Sequence, residues 1–464
     1  MTLTTATDQA FEDFLAAHAD ERLASYKDLI RIPSISALPA HAPDCRRAAA
    51  WIAADLERIG MEHVEVVETG GHPVVYADWL HAEGAPTIVV YCHYDVQPVD
   101  PLDLWTSPPF EPVVVGDRIL GRGVADDKGQ LHLHLRATEA LLATRGRLPV
   151  NLKFVFEGEE ESSSAHLDDW LRANRERLTA DFALISDTGF FEGNIPAITI
   201  ALRGMMYAQI DVTGTDVDLH SGGYGGAVEN PANALARIIA GLKDETGRIL
   251  VPGFYDDVQE LSAEDRQRIA ELPFDEAAYL ERLGLPALHG EPGYSTLERR
   301  GTRPTLDVNG IWGGFAGEGS KTIIPGEAHA KLSCRLVPDQ DPAETFTALA
   351  KYIERLAPAG VTVTVRDLGS GRPSSSSIDQ PATQALARAI ERAFGVAPVY
   401  SREGGSIPFV ATFEGVLGLP VVLLGFTPPD GNFHAPNEWM DLRNFEGGVR
   451  TMAAYFEELA ALPR

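Results

Sequence analysis

Short apolar runs alternate with amphipathic stretches along this chain, the pattern of an α/β protein in which helices cover parallel strands. The segments Thr87–Cys92 (TIVVYC), Asn151–Phe156 (NLKFVF), Phe182–Ser186 (FALIS) and Val421–Leu424 (VVLL) read as buried strands. Phe14–Ile30 and Arg46–Ile59 read as helices, and Gln130–Thr144 as a helix between two of the strands. The middle of the chain has another rhythm. Met205–Thr213, Leu306–Ile311, Glu327–Leu336 and Val361–Arg366 read as strands, and Asn230–Asp244 and Ala343–Leu356 as helices. Their order, β-α-β-β-α-β, is the ferredoxin-like pattern. An acidic helical insertion, roughly Phe254–Gly301, interrupts it, and Gly369–Ser377 (GSGRPSSSS) reads as a linker. The expected architecture is a discontinuous α/β domain, residues 1–200 and 370–464 with a mostly parallel sheet, into which a smaller domain, residues 201–369, is inserted.

Composition narrows the function. The 464-residue chain carries a formal net charge of −28, which leaves no basic field for nucleic acid or for an anionic membrane surface. Three cysteines, Cys45, Cys92 and Cys334, form no CxxC pair and cannot make a disulfide framework, so a reducing cytoplasm is expected. The first twenty residues lack a basic signal-peptide region, and the longest apolar run, Val416–Phe426, is broken by Pro420. No membrane span is expected, since one needs about 20 apolar residues.

The chemistry sits after the strands. His93-Tyr94-Asp95 follows the first run, Glu157-Gly158-Glu159-Glu160-Glu161 the second, Asp187 the third, and a loop to Asn432-Phe433-His434 the fourth. Gly121–Gly129 (GRGVADDKG) lies just before a helix. In open parallel sheets ligands bind beyond the carboxyl ends of the strands, so these five clusters converge on one edge. Taken singly each is ordinary; together they describe a metal site. Two histidines with several carboxylates and no thiolate suit Zn²⁺, Mn²⁺ or Co²⁺. The donors exceed the needs of one tetrahedral ion and suit two ions about 3.5–4 Å apart sharing a carboxylate, which the glycine-framed GRGVADDKG turn can supply. Asp95, two residues from His93 at strand spacing, can fix its imidazole tautomer. Other motifs fail. Gly314–Thr322 (GFAGEGSKT) has Ser320 where a phosphate loop needs Lys, GRGVAD lacks a dinucleotide fingerprint's third glycine, and neither HExxH nor GxSxG occurs. His132 and His134 read as surface or packing residues.

At these residues the sequence resembles the dinuclear metallopeptidase family of the cytosolic nonspecific and carnosine dipeptidases, with carboxypeptidase G-like enzymes, aminoacylases and succinyl-diaminopimelate desuccinylases as more distant members. The likeness spans nearly the whole chain. It is carried by His93–Pro98 (HYDVQP), GRGVADDKG, Glu160-Glu161, Ser186-Asp187, Leu202-Arg203-Gly204, Asp218–Gly223 (DLHSGG), Lys321–Pro325 (KTIIP), Arg335–Pro338 (RLVP) and Arg402–Pro408 (REGGSIP). It departs in Ser162-Ser163-Ser164, where a middle glycine is common, and in Asn309, where some members have His.

The resemblance implies a zinc-exopeptidase-like catalytic domain, an inserted lid and dimerisation domain, and a homodimer acting on small peptides. It implies two divalent ions per subunit, Zn²⁺ with Mn²⁺ as the alternative. His93 and Asp187 would hold one, Glu161 and His434 the other, and Asp126 would bridge them, with the Asp126–Asp127 peptide bond cis. Glu160 would be the general base and then the acid, and Asp95 would orient His93. His220 would reach a neighbouring subunit's site and stabilise the oxyanion. Thr322, Arg335 and Ser406 would hold the substrate's carboxylate and backbone. The expected activity is hydrolysis of Xaa-Xaa dipeptides. The same site could instead serve an N-acyl amino-acid amidohydrolase or a carboxypeptidase. A non-catalytic binding protein is the third class, and it predicts loss of the base or of a ligand, all of which are present.

Overall fold

The four apolar runs lie side by side in one sheet, in the order Asn151–Glu157, Thr87–His93, Phe182–Ser186, Val421–Leu424, all parallel. Outside them the sheet is antiparallel: Val74–Trp79 and Glu62–Val67 flank one side and Ala197–Leu202 the other. The four middle strands are buried almost throughout, which is why they read as unbroken apolar runs. Glu62–Val67 (EHVEVV) is an exposed, charged edge, a composition that discourages further pairing. Register pairs His93 with Glu157, Tyr91 with Ile185 and Leu424 with Ser186. The carboxyl ends are therefore level, and the loops that follow leave from one edge.

This computed structural model describes residues 6–405 and 408–463. The sheet belongs to a compact unit of Met1–Ile200, Ser376–Ser401 and Thr412–Arg464. Its core joins the strands to the helices Ala42–Ile59, Lys128–Arg145, Pro381–Phe394 and Leu442–Ala460. The helix expected over Phe14–Ile30 is two, Ala6–Ala17 and Ala19–Ile30. Between them His18 leaves helical dihedrals, although its N–H still donates to the Phe14 carbonyl at 3.1 Å, and its Nδ1 lies 2.9 Å from that same carbonyl.

Lys128–Arg145 has no solvent face over most of its length, and His132 and His134 are both fully buried in it, as packing residues. His132 Nε2 lies 2.6 Å from Ser25 Oγ. Neither ring nitrogen of His134 meets a partner among the described residues. Burial pushes both imidazoles down to about 3. The folded state therefore refuses protons that the unfolded chain binds below about pH 6.5. Stability from this source is intact above that pH and falls as pH drops towards 3. The cost is about 2 kcal/mol per histidine between pH 7 and 5. His134→Leu should thus lose less of its urea midpoint than the unaltered chain on going from pH 7 to pH 5. Equal losses would contradict the assignment.

The second unit is Ala201–Ser375 with Arg402–Ala411. Its four-stranded antiparallel sheet runs Thr305–Gly313, Glu327–Leu336, Gly204–Thr213, Thr362–Gly371, the ferredoxin-like order. Glu327–Leu336 alternates strictly, with Ala328, Ala330, Leu332, Cys334 and Leu336 buried. The helices Pro231–Ala240 and Pro342–Leu356 share that core, and each starts at a side-chain cap, Asn230 and Asp341. The acidic insertion holds three short helices, Ala263–Ala270, Glu276–Leu283 and Thr296–Gly301. The expected linker is partly strand: Thr362–Gly371 runs into it, and Ser374–Ser375 pairs with Ala201 and Leu202. No described helix is long and apolar enough to cross a membrane. Cys45, Cys92 and Cys334 are unpaired and buried.

Candidate active site

His93 ends its strand fully buried. Its Nδ1 lies 3.1 Å from the Asp95 carbonyl and 3.4 Å from Asp95 Oδ1, which leaves Nε2 to face the site. That atom is 3.0 Å from Asp126 Oδ1 and 3.9 Å from Asp187 Oδ1. The other oxygen of Asp126, Oδ2, is 3.0 Å from His434 Nε2, and His434 Nε2 is 3.3 Å from Glu161 Oε2. One carboxylate thus turns its two oxygens to two histidines that are 341 positions apart in the chain. Ligand atoms of His93, Asp126 and Glu161 all fall within 4.8 Å of one another. The Asp126–Asp127 peptide bond is cis.

Asp95 does more than face His93. Its Oδ1 accepts the N–H of Glu160 at 3.1 Å and its Oδ2 that of Glu161 at 3.0 Å. One buried carboxylate therefore fixes both the imidazole and the turn that carries the acidic pair. Three further residues, given no role from sequence, shape the site. Gln97 Nε2 donates to Glu161 Oε2 at 2.7 Å. Asp127 Oδ2 accepts the N–H of His93 at 3.1 Å. Glu438 is buried beside the Asp126 loop. Gln97 stands in the quoted HYDVQP motif, but nothing local marks its partner.

The electrostatics are those of crowded carboxyls. Burial raises Asp187 and Asp127 well above the usual carboxylate range, helped by neighbouring acids. Burial, with Asp126 beside it, raises Glu161, and burial pushes Glu160 up to about 8. Asp126 goes the other way: burial opposes its charge, but the bonds from His434 and His93 hold it well below its ordinary value. His434 is pushed up to about 10 by Asp126 and then Glu161. Burial disfavours charge on His93, yet Asp126 and Asp95 raise it. A buried cluster of acids that resists ionising on its own is one that cations complete. Two donors bound tetrahedrally to one zinc ion at about 2.0–2.1 Å lie about 3.3 Å apart. The His93–Asp126, His434–Asp126 and His434–Glu161 spacings of 3.0, 3.0 and 3.3 Å lie near that value, and His93–Asp187 at 3.9 Å is wider. The oxygen-and-imidazole donor set fits divalent transition ions.

Of the other residues singled out, His220, Thr322 and Arg335 belong to the second unit. Leu219–His220 pairs with Ile323–Ile324, and the Thr322 carbonyl accepts the N–H of Ser221 at 3.0 Å, so His220 and Thr322 share one small ladder. His220 Nδ1 accepts the N–H of Gly223 at 3.2 Å. Arg335 stands near the end of Glu327–Leu336, opposite Thr305 and Met205. Ser406 lies outside the described residues.

Comparison with known proteins places the whole chain among peptidases. The chain is 34% identical over 468 residues to a Cys-Gly metallodipeptidase of Schizosaccharomyces pombe, covering 96% of each. It is 30% identical to the human Beta-Ala-His dipeptidase, over 97% of this chain and 92% of that protein. Among solved structures, the dipeptidase Dug1p of Saccharomyces cerevisiae superposes with a TM-score of 0.84 at 29% identity, covering 100% of both chains. The family model described as peptidase family M20/M25/M40 matches residues 89–458. This chain is a metallopeptidase that belongs to peptidase family M20/M25/M40.

Proposed function

We propose that the protein is a broad Xaa-Xaa dipeptidase working with two divalent cations, Zn²⁺ first and Mn²⁺ as the alternative. The observation that carries this reading is the division of the Asp126 carboxylate between His93 and His434. In it, His93 and Asp187 would hold one cation, Glu161 and His434 the other, and Asp126 would serve both. When bound, such ions polarise a carbonyl and lower the pKa of a water to about 7. Glu160 takes the proton of the attacking water and returns it to the leaving amine. Asp95 keeps His93 in the tautomer that presents Nε2 and keeps Glu160 at its station. His220 meets the developing oxyanion from a partner subunit. Arg335 clamps the terminal carboxylate in bidentate fashion, and Thr322 and Ser406 share in holding the substrate's carboxylate and backbone, which selects short, free-ended peptides. The reading assigns catalysis to residues 1–200 and 370–464, and lid and dimer contacts to 201–369. It puts a homodimer in the cytoplasm.

A substrate panel tests it. Dipeptides including Cys-Gly and β-Ala-His, N-acyl amino acids and longer peptides are compared by kcat/KM. Dipeptides should be cleaved fastest; faster cleavage of acyl amino acids or of longer peptides overturns the reading. Metal removal is a second check. Chelation should abolish hydrolysis and lower the thermal midpoint, and Zn²⁺ or Mn²⁺ should restore both. At 100 times its dissociation constant one ion adds about 2.7 kcal/mol of stability.

A further inference from the structure

Glu438 is fully buried, and its carboxylate is saturated by one loop. Oε1 accepts the N–H groups of Ala125 at 2.9 Å and Asp126 at 3.1 Å. Oε2 accepts the N–H of Gly123 and Arg122 Nη1, both at 2.9 Å. Its own carbonyl accepts the N–H of Gly121 at 3.0 Å. One residue earlier, Asn437 stands at φ 62. Its Oδ1 accepts the Thr106 N–H at 2.7 Å and hydroxyl at 2.8 Å, and its Nδ2 donates to the Leu104 carbonyl at 2.9 Å. Arg122 closes the ring through the Pro98 carbonyl at 3.0 Å. Two neighbouring side chains thus tie together the loop after His93, the loop bearing Asp126 and the segment bearing His434.

We infer that Glu438 is the positioning residue for Asp126, and that Asn437 locks the His434 segment to the loop leaving His93. An aspartate can offer one oxygen to each of two ions only if its backbone is held at one orientation. Here four donors converge on one carboxylate to hold it. Charge and length both matter. An amide would aim two N–H bonds at groups that are themselves donors, and aspartate, one methylene shorter, cannot reach both pairs. The inference rests on Asp126 being a metal ligand.

The experiment compares the full-length chain with Glu438→Gln and Glu438→Asp. Zn²⁺ affinity is measured by competition with a chromophoric chelator, and the visible spectrum is recorded with Co²⁺ as the probe ion. Glu438→Gln should bind Zn²⁺ about 10–100-fold more weakly, alter the Co²⁺ spectrum, and lower kcat with KM unchanged. Glu438→Asp should fall between it and the unaltered chain. A folded variant with unaltered affinity and spectrum overturns the inference. So does failure of both variants to fold in excess Zn²⁺, which would make Glu438 structural only. Asp126→Asn separates the two readings: if it keeps full affinity, the ligand assignment itself is wrong.

Discussion

Glu160→Gln lowers kcat for a dipeptide by about 10²–10⁴-fold, the range for loss of a positioned general base, while the metal content stays that of the unaltered chain. The geometry separates these two effects. Glu161, not Glu160, approaches His434 and the ligand group. Glu160 is held beside it through its own backbone N–H, which Asp95 Oδ1 accepts, so the amide variant keeps the backbone bond and loses only the proton acceptor. Burial pushes this carboxyl up to about 8. Nearby cations favour its ionised form and draw it back towards neutrality, where a base that must both take and return a proton works best. Turnover and metal stoichiometry measured on one preparation decide the matter. A rate within tenfold of the unaltered enzyme removes Glu160 from the mechanism. Loss of metal along with rate makes it a ligand instead.

Asp95→Asn is the second large effect, and it differs in kind. Each carboxylate oxygen of Asp95 accepts a backbone N–H, from Glu160 and from Glu161, and Oδ1 also lies 3.4 Å from His93 Nδ1. In the amide one oxygen becomes a donor facing a donor, at a fully buried position. The Glu160–Glu161 turn and the His93 ring are disturbed together. Metal affinity should fall by about 10–100-fold, and kcat should fall further because the base moves too. Saturating Zn²⁺ should recover only part of the rate. Isothermal titration with metal, followed by turnover at saturation, measures the two losses separately. Full recovery at saturation would confine Asp95 to metal binding.

Both variants act on segments whose local character shows in the sequence. Strands such as Phe182–Ser186, Val421–Leu424 and Glu327–Leu336 have the bounds their apolar patterns predict, because burial on two faces or on alternate positions writes itself into residue type. Level strand ends then bring His93, Glu161, Asp187 and His434 to one edge, and each of these side chains sits one to ten positions past a legible strand. Other features have no local signature. The break at His18 is a change of dihedral at one residue within an otherwise helical pattern. The all-round burial of Lys128–Arg145 comes from neighbours far away in sequence. Glu438 satisfies a loop more than 300 positions earlier, and a glutamate in a run Pro436-Asn437-Glu438-Trp439 looks like surface until the fold turns it inward.

Val421–Leu424 lies in the interior of the sheet, between Phe182–Ser186 and Ala197–Leu202, both far earlier in the chain. More than 200 positions separate it from either neighbour, so during translation both are made long before this strand exists. Until then the edges that will pair with it have no strand beside them, and such late, long-range pairing is slow and exposes a growing chain to aggregation. His434 emerges ten positions later still. A chain that stops before His434 lacks one of the two imidazoles that face Asp126. Products that end before this strand should therefore be inert rather than partly active.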